Sequence, residues 1–581
     1  MNWLKVASEP GTTHAIRSAD RSAGRFAHSI ALTAATILFA RLAPLQAQDL
    51  TIHIKDFVQM PMTGDPVSKG SNSSLLARES YMREEPGGSK DRFFITDLNG
   101  PLYILNKKTK QFTTYLNLSG NNGQPGLFHK LTVASGFGNG FGNFIFDPDF
   151  AHNGKFYTIH IEDPKLPGSD MPDNSHFPGV NLDGYTLTKA IEKPGPTSRE
   201  GVLIEWTAKN PASSTFEGTA RELMRVEIGT VSHPMGDLIF NPTAKPGSPD
   251  WRVLYMSVGE GAAGESRDLL IRHTPQRLDM VLGKILRIIP DLDIDKDSST
   301  VSENGRYRIP NDNPFVNVKG ARKEIWAYGF RNPQRLSWYV DPKDTSKNNL
   351  IVGVIGLHTW EWVDIIHKGD NYGYGVLEGN KLLKTDNTTT TVPDANYKIP
   401  VEIGDTQNAD GTISPTATDG MVTPTYPVIV YSHDKASPDS GDGICNGYVY
   451  NGKIAALRGK FIFGDITTGR LWWANYSDML AVDGENPRNP NNMAPIHRIK
   501  IVWDSPQAGK EPYDSMFPIG EIAYRARGGK AVETGLPGRA TISGGRVDIR
   551  LSMDNEENFY ILSKVDGTIR EVVGATLSQE K

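Results

Sequence analysis

One phrase recurs along this chain and constrains its fold more than any other feature. An apolar or alternating strand runs into Asp or Asn, often followed by Pro, then a polar turn, then a second strand rich in Tyr, Val and Ile. Asn143-Phe144-Ile145-Phe146-Asp147-Pro148 leads to Phe156-Tyr157-Thr158-Ile159. Leu238-Ile239-Phe240-Asn241-Pro242 leads to the run from Val253 to Val258, and Leu336 to Pro342 leads to Leu350-Ile351-Val352. Ile549 to Asp554 precedes Phe559 to Leu562, Phe461 to Asp465 precedes Arg470 to Trp473, and Phe93 to Asp97 precedes Leu102 to Leu105. Strand, Asx turn, strand is a hairpin signal, and alternation within each run argues for sheets.

The hairpins recur about every 90 residues, roughly twice the length of a lean propeller blade, so long inserted loops are required. The stretches 164–196, 290–323 and 380–424 supply them, rich in Pro, Asp, Asn, Thr and Gly. With 58 glycines and 38 prolines in 581 residues, turns are abundant and long helices few. The spacing predicts an all-β chain, a six-bladed β-propeller with long inserted loops. A β-sandwich or a pair of barrels is the alternative, because a period alone does not fix closure. The stretch from Glu324 to Gly379 predicts one whole blade, its polar islands Gly329 to Gln334 and Lys368 to Tyr374 lying beside strand-length apolar runs.

Residues 1–47 predict a secretory signal. Arg17, Arg21 and Arg25 precede a short apolar core from Ile30 to Ala40, and Ala47 offers a small residue for cleavage. That places the protein outside the cytoplasm, periplasmic or extracellular. Residues 48–90 then read as an N-terminal strand and extension, and 91–575 as a single propeller domain. No second apolar run is long enough for a membrane span. The net charge of −5 and the lack of a basic stripe argue against nucleic acid as a partner. The lone Cys445 rules out an internal disulfide framework, and no Cys-x-x-Cys-His motif attaches a haem. Asp291, Asp293, Asp295 and Asp297 alternate as in a calcium loop, but an EF-hand would need Gly at Lys296 and Glu at Ser302.

Gly329-Phe330-Arg331-Asn332-Pro333-Gln334, the run Trp360 to Ile366 with Lys368-Gly369-Asp370-Asn371-Tyr372-Gly373-Tyr374, and Asn446 to Tyr450 with Gly464-Asp465 resemble the soluble quinoprotein glucose/sorbosone (aldose sugar) dehydrogenase family. Arg221 to Arg225 leading to Ser232-His233-Pro234-Met235-Gly236, Phe146 to Phe150, and Gly283 to Ile288 strengthen the resemblance, and the motifs follow in the same order from about Asp91 to Val573. The family implies a six-bladed propeller holding pyrroloquinoline quinone (PQQ) and calcium over its axis. It implies oxidation of a sugar to its lactone, with electrons leaving to a separate acceptor. By this resemblance His233 is the base. Arg331, Asn332, Glu260, Lys368 and Arg546 contact the cofactor, and Gly356 and Leu357 sit at the metal. A neutral imidazole accepts a proton at neutral pH, and guanidinium forks suit carboxylates and reduced quinone oxygens. Lys368 reads more readily as a solvated turn lysine, and Asn371 and Tyr372 as a structural turn.

Several positions depart from the family pattern. Ser232 replaces the acid before the base, Gly138 a glutamine, Glu260 an aspartate, and Val354 and Leu357 an acid and an amide. The arginine pair near the end is reduced to Arg546. These departures support a second reading, a carbohydrate- or protein-binding propeller without turnover. A lactonase-like hydrolase would need several carboxylates or histidines converging on one metal.

Overall fold

The expected hairpins form because an Asp carboxylate closes each turn on the backbone. Asp341 Oδ1 accepts from the N–H of Lys343 and of Asp344, each at 2.9 Å, and Asp554 Oδ1 from those of Glu556 and Asn558. Asp147 goes further. Its carboxylate holds the N–H of Asp149, the amide of Asn153 and the hydroxyl of Tyr157, fixing the turn between Phe141–Phe146 and Lys155–Glu162. Such Asx turns are the local reason the phrase recurs.

The structure is a computed structural model that describes residues 48–64, 75–88, 90–120, 125–133, 138–529, 535–537 and 544–579. The expected secretory signal lies outside them. The chain is all-β, its longest described helix being Met516–Ala526. Glu79–Arg83, Arg92–Asp97, Pro101–Asn106 and Phe112–Asn117 form the first antiparallel sheet. Phe141–Phe146, Lys155–Glu162, Arg199–Ala208 and Gly218–Ile228 form the second, with Val180–Asn181 added at its edge. The third is Met235–Phe240, Leu254–Val258, Lys284–Ile288 and Ile325–Tyr328, and the fourth Asn332–Tyr339, Asn349–Ile355, Trp360–Ile366 and Ile429–Ser432. Among the described residues, seven further strands form three small sheets, and the remaining eight make one sheet that carries an inner strand at each end. It runs outward from Ile444–Tyr450 to His497–Asp504, crosses in parallel to Gln48–Gln59, and returns through Thr568–Gln579 and Phe559–Ser563 to Ile549–Met553.

The first strand of each sheet packs against the first strand of the next. The series runs from Glu79–Arg83 through Phe141–Phe146, Met235–Phe240, Asn332–Tyr339, Ile444–Tyr450 and Ile549–Met553, then back to Glu79–Arg83. Between the sheets lie aromatic and aliphatic layers, such as Phe94, Phe146, Phe156 and Trp206. Polar side chains knit the inner strands. Asn446 donates through Nδ2 to Leu551 O at 3.0 Å and accepts through Oδ1 from Leu551 N–H at 3.1 Å, and Ser552 Oγ donates to Met82 O. Asp237 accepts from Asn143 Nδ2 at 2.7 Å, from Leu336 N at 2.9 Å and from an Arg83 guanidinium nitrogen at 2.9 Å, joining four of these strands.

Two boundaries differ from the sequence reading. Glu324–Gly379 straddles two sheets: Ile325–Tyr328 is the last strand of the third, and the fourth completes itself only with Ile429–Ser432, after the long insertion. The extension assigned to 48–90 contains Glu79–Arg83, the innermost strand of the first sheet, so a boundary at residue 91 cuts that sheet.

Asp237 is buried with Arg83 as its cationic partner. Asp237→Ala is expected to cost about 3–5 kcal/mol in a urea melt, the loss seen when one member of a buried pair is removed. Asp237→Asn, which can still accept from Leu336 N–H, should recover part of it. A loss under about 1 kcal/mol for the alanine variant would show that Asp237 does not hold the strands together.

Candidate functional site

A cavity of about 190 Å³ opens at the N-terminal ends of the inner strands. Ser80, Gly142, Gly236, Asn332, Gly443 and Arg550 contribute to its wall from successive sheets. His233 also lines it, from the loop ahead of Met235–Phe240.

That loop is strapped to the end of Leu254–Val258. Gly259 N donates to Pro234 O at 3.0 Å, Gly261 N to His233 O at 3.1 Å, and Glu260 N to Arg331 O at 2.8 Å. Gly259 is required there, because a Cβ would stand 2.4 Å from His233 O. His233 itself has a φ of 54°, a left-handed conformation that a non-glycine residue holds only under constraint. The constraint aims the imidazole. Nδ1 lies 2.6 Å from Glu260 Oε1, and Glu260 Oε2 is held by Ala263 N–H and by Gly264 N–H. An ionised Glu260 places the imidazole proton on Nδ1 and leaves Nε2 as the acceptor. Arg331 closes the group, its Nε 3.8 Å from the same carboxylate oxygen and a terminal nitrogen donating to Ile355 O at 3.1 Å. Burial first, and the Arg331 charge second, push the His233 pKa below its ordinary value, while Glu260 pulls the other way.

The structure therefore brings His233, Glu260, Arg331, Asn332 and Arg546 to one end of the ring. Two of them act through others. Glu260 and Arg331 are buried behind the imidazole, whereas His233, Asn332 and Arg546 form wall. Ser232, in place of the family's acid, leaves no adjacent residue to orient the imidazole; Glu260 does so from 27 residues away. Lys368 is not brought there. It is exposed on a turn with its ammonium 5.8 Å from the Trp326 ring. Asn371 and Tyr372 are structural: Asn371 bonds Gln276, and Tyr372 stacks on Phe330. Asp291 of the acidic run pairs with Arg252 at 3.0 Å. Of the glycine-rich loop 136–142, residues 136 and 137 lie outside the described residues, and Gly138 lines the cavity.

Sequence reasoning missed Arg335, Arg550 and Lys564, all in the wall. Arg546-x-Asp548-x-Arg550 has the alternate spacing that could have flagged them. Asp548 is buried among these cations. Burial opposes its charge, but Arg546, Lys564, Arg550 and Arg78 hold it far below the usual carboxylate range. Lys564 is driven well below the usual lysine range by burial, then by Arg550.

This donor set fits the PQQ that the resemblance implies, a planar quinone bearing three carboxylates. Buried Arg335 Nε, Arg550 Nε and Lys564 Nζ make no hydrogen bond and lie on wall residues. The calcium implied at Gly356 and Leu357 fits less well. Those side chains offer no oxygen; of the carboxylates beside them Glu361 is engaged at both oxygens, whereas Glu378 is engaged at Oε1 alone and its buried Oε2 has no hydrogen-bond partner. Glu361 takes Gly356 N–H, His433 Nε2 and Ile444 N–H, and Glu378 Oε1 takes the N–H groups of Leu357, His358, Thr359 and Trp360. Among the described residues no group of three or more His, Cys, Asp or Glu side chains is placed to hold a metal ion.

Residues 247–423 match the glucose/sorbosone dehydrogenase family. The matched segment includes Glu260, Arg331 and Asn332; His233 precedes it and Arg546 follows it. The aldose sugar dehydrogenase YliI of Escherichia coli (strain K12) is 34% identical over 159 residues, 27% of this chain and 33% of that protein. The HIPL1 protein of Arabidopsis thaliana is 26% identical over 427 residues, 71% of this chain and 54% of that protein. The chain spans about half the length of the curated plant relatives it matches. Among solved structures, the PQQ-bound aldose sugar dehydrogenase of Streptomyces coelicolor aligns with 92% of this chain and 100% of its own, at 16% identity and a TM-score of 0.43.

Glu79 sits beside the wall residue Ser80, fully buried, with neither carboxyl oxygen hydrogen-bonded. Burial pushes its pKa up to about 8. The folded state thus keeps a proton that the unfolded chain releases near pH 4.5, so this group lowers stability progressively as pH rises from 4.5 to 8. Glu79→Gln is expected to raise the melting temperature relative to wild type at pH 8.5 and to change it little at pH 4. Equal shifts at both pH values would refute the assignment of a buried, protonated Glu79.

Proposed function

We propose that this chain is an exported, six-bladed β-propeller that oxidises an aldose to its lactone at the axial cavity. The single observation carrying the reading is the buried His233–Glu260–Arg331 group at the mouth of a cation-rich cavity. The return of the inner strands to their start supports six blades closing on one axis. The strand order closes this ring with Gln48–Gln59 from the chain's start set between two late strands.

His233 Nε2 takes the proton of the sugar's anomeric hydroxyl. Glu260 keeps Nδ1 protonated and stabilises the imidazolium that forms, as an orienting carboxylate does beside a general base. Arg331 keeps the resting imidazole neutral by opposing a bound proton, and Asn332 offers a hydrogen-bonding amide at the wall. Arg546, Arg550 and Lys564 would hold the cofactor's carboxylates. Bound there, PQQ supplies the two-electron acceptor for the hydride leaving the sugar carbon, and a separate acceptor removes the electrons afterwards. No step here is assigned to calcium.

A second reading is a carbohydrate-binding propeller that does not turn over. Gly356 and Leu357 favour it, because their side chains offer no oxygen to the metal of the first reading and Glu361 beside them is engaged at both oxygens.

Purified protein incubated with PQQ, with and without calcium, is expected to oxidise aldoses. His233→Ala should lower kcat/KM by about 10²–10⁴-fold, the usual worth of a general base. The pH profile should show an acid limb below the ordinary histidine value of about 6.5. Glu260 raises the His233 pKa, so Glu260→Gln should move that limb to lower pH as well as slowing the reaction. A loaded wild-type protein inert to every aldose, yet still binding sugar, would establish the second reading instead.

A further inference from the structure

A second cavity, of about 530 Å³, lies at the opposite, C-terminal ends of the same inner strands. Along Glu79–Arg83, Ser80 faces the first cavity and Arg83 the second; along Asn332–Tyr339, Asn332 faces the first and Trp338 the second. Tyr81 and Arg335 line both. The Arg335 guanidinium lies 3.4 Å from the centre of the Tyr81 ring and forms, with it, the partition between the two ends.

The chemistry of this second cavity is unequal in charge. Its wall carboxylates are already satisfied. Glu84 pairs with Lys107 and accepts from Asn555 N–H, and Asp554 accepts from Asn558 and Tyr560. Its cations are not. Arg83 gives one nitrogen to Asp237 and Arg335 one to Ser80, while Arg83 Nε and Arg335 Nε are buried without a hydrogen-bond partner. Trp338 Nε1 is a third buried donor without one. Around these donors the wall is aromatic and apolar, with Trp251, Trp338 and Met553. Buried donors left without a partner cost stability, more when charged, and an acceptor entering the cavity would recover that cost.

We propose that this cavity binds a small carboxylate with a flat apolar body. The carboxylate accepts from Arg83 and Arg335 at the partition, and the ring lies against Trp251 and Trp338. The site is separate from the cavity that holds His233 and does not depend on sugar oxidation.

The probe is 1-naphthoate, followed by equilibrium dialysis and by quenching of tryptophan fluorescence on the whole protein, with 1-naphthamide as the uncharged control. Saturable binding below about 1 mM is expected, with the amide at least about tenfold weaker. Arg83→Gln should abolish the preference for the carboxylate. Met553→Trp, which fills the cavity without touching a charge, should abolish binding should Arg83→Gln fail to fold. His233→Ala should bind as wild type. The proposal is overturned by an absence of saturable binding, by equal binding of acid and amide, by binding that survives Met553→Trp, or by binding lost in His233→Ala.

Discussion

The carboxylate of Asp237 is the contact on which the centre of this molecule depends. Six strands converging on one axis bring their backbones together where no side-chain layer is thick enough to fill the space and no sheet ladder continues. Polar backbone groups facing inward must therefore find partners among side chains. Asp237 meets that need at once for three neighbours, through Asn143 Nδ2, Leu336 N–H and Arg83. A carboxylate is suited to this, having several lone-pair sites and a charge that a single arginine balances. Its position also fixes the spacing of both ends of the ring. Gly236, its chain neighbour, lines one cavity, and Arg83, its ion-pair partner, lines the other.

The axis is unusually rich in cations for a protein with a net charge of −5. Arg78, Arg335, Arg546, Arg550 and Lys564 are all buried around the N-terminal cavity, with Asp548 the acid among them. Burying charge is costly unless it is paired and hydrogen-bonded. Even with Asp442 also at the wall, a scaffold holding more cations than carboxylates is less costly with an anion present than without one. The same logic separates the two cofactors that the family resemblance implied. The anionic quinone meets unmade donors, whereas a calcium ion at Gly356 and Leu357 meets side chains without an oxygen, beside a Glu361 engaged at both of its own.

Most hairpins could be read from sequence because their signal is local: an Asp that folds back on its own turn, between strands that alternate. The innermost strands were harder. Glu79–Arg83 reads Glu-Ser-Tyr-Met-Arg, with polar residues buried against the axis instead of an apolar stripe, so it looked like an extension. Glu324–Gly379 looked like one unit because its strands are consecutive, yet the fourth sheet waits for Ile429–Ser432 beyond an insertion that no periodicity announces. At the site, His233, Arg331 and Asn332 were found through motif resemblance. The hydrogen bond of Glu260 to His233 was not, because it depends on two loops meeting in space. Lys368 failed for the converse reason: its motif neighbours are structural, and the turn carries its ammonium outward over Trp326.

An acid adjacent to His233 in sequence would have been a simpler way to orient it, and its absence made the base look unsupported. The geometry shows why adjacency is unnecessary. A residue at φ 54° already turns its side chain off the run of the strand that follows, so the acid must come from wherever the imidazole then points. The loop 259–261 is stitched to the backbone of residues 233 and 234 by two hydrogen bonds and to Arg331 by a third, so Glu260 is carried to Nδ1 by main-chain contacts that do not depend on the side chains they position. Arg331 arrives through the same stitching. An imidazole flanked by one carboxylate and one guanidinium feels opposing charges, and burial then tips the balance towards the neutral ring. Glu260 thus orients the ring and raises its pKa, while burial and Arg331 outweigh that pull, which lets the ring be both firmly held and uncharged.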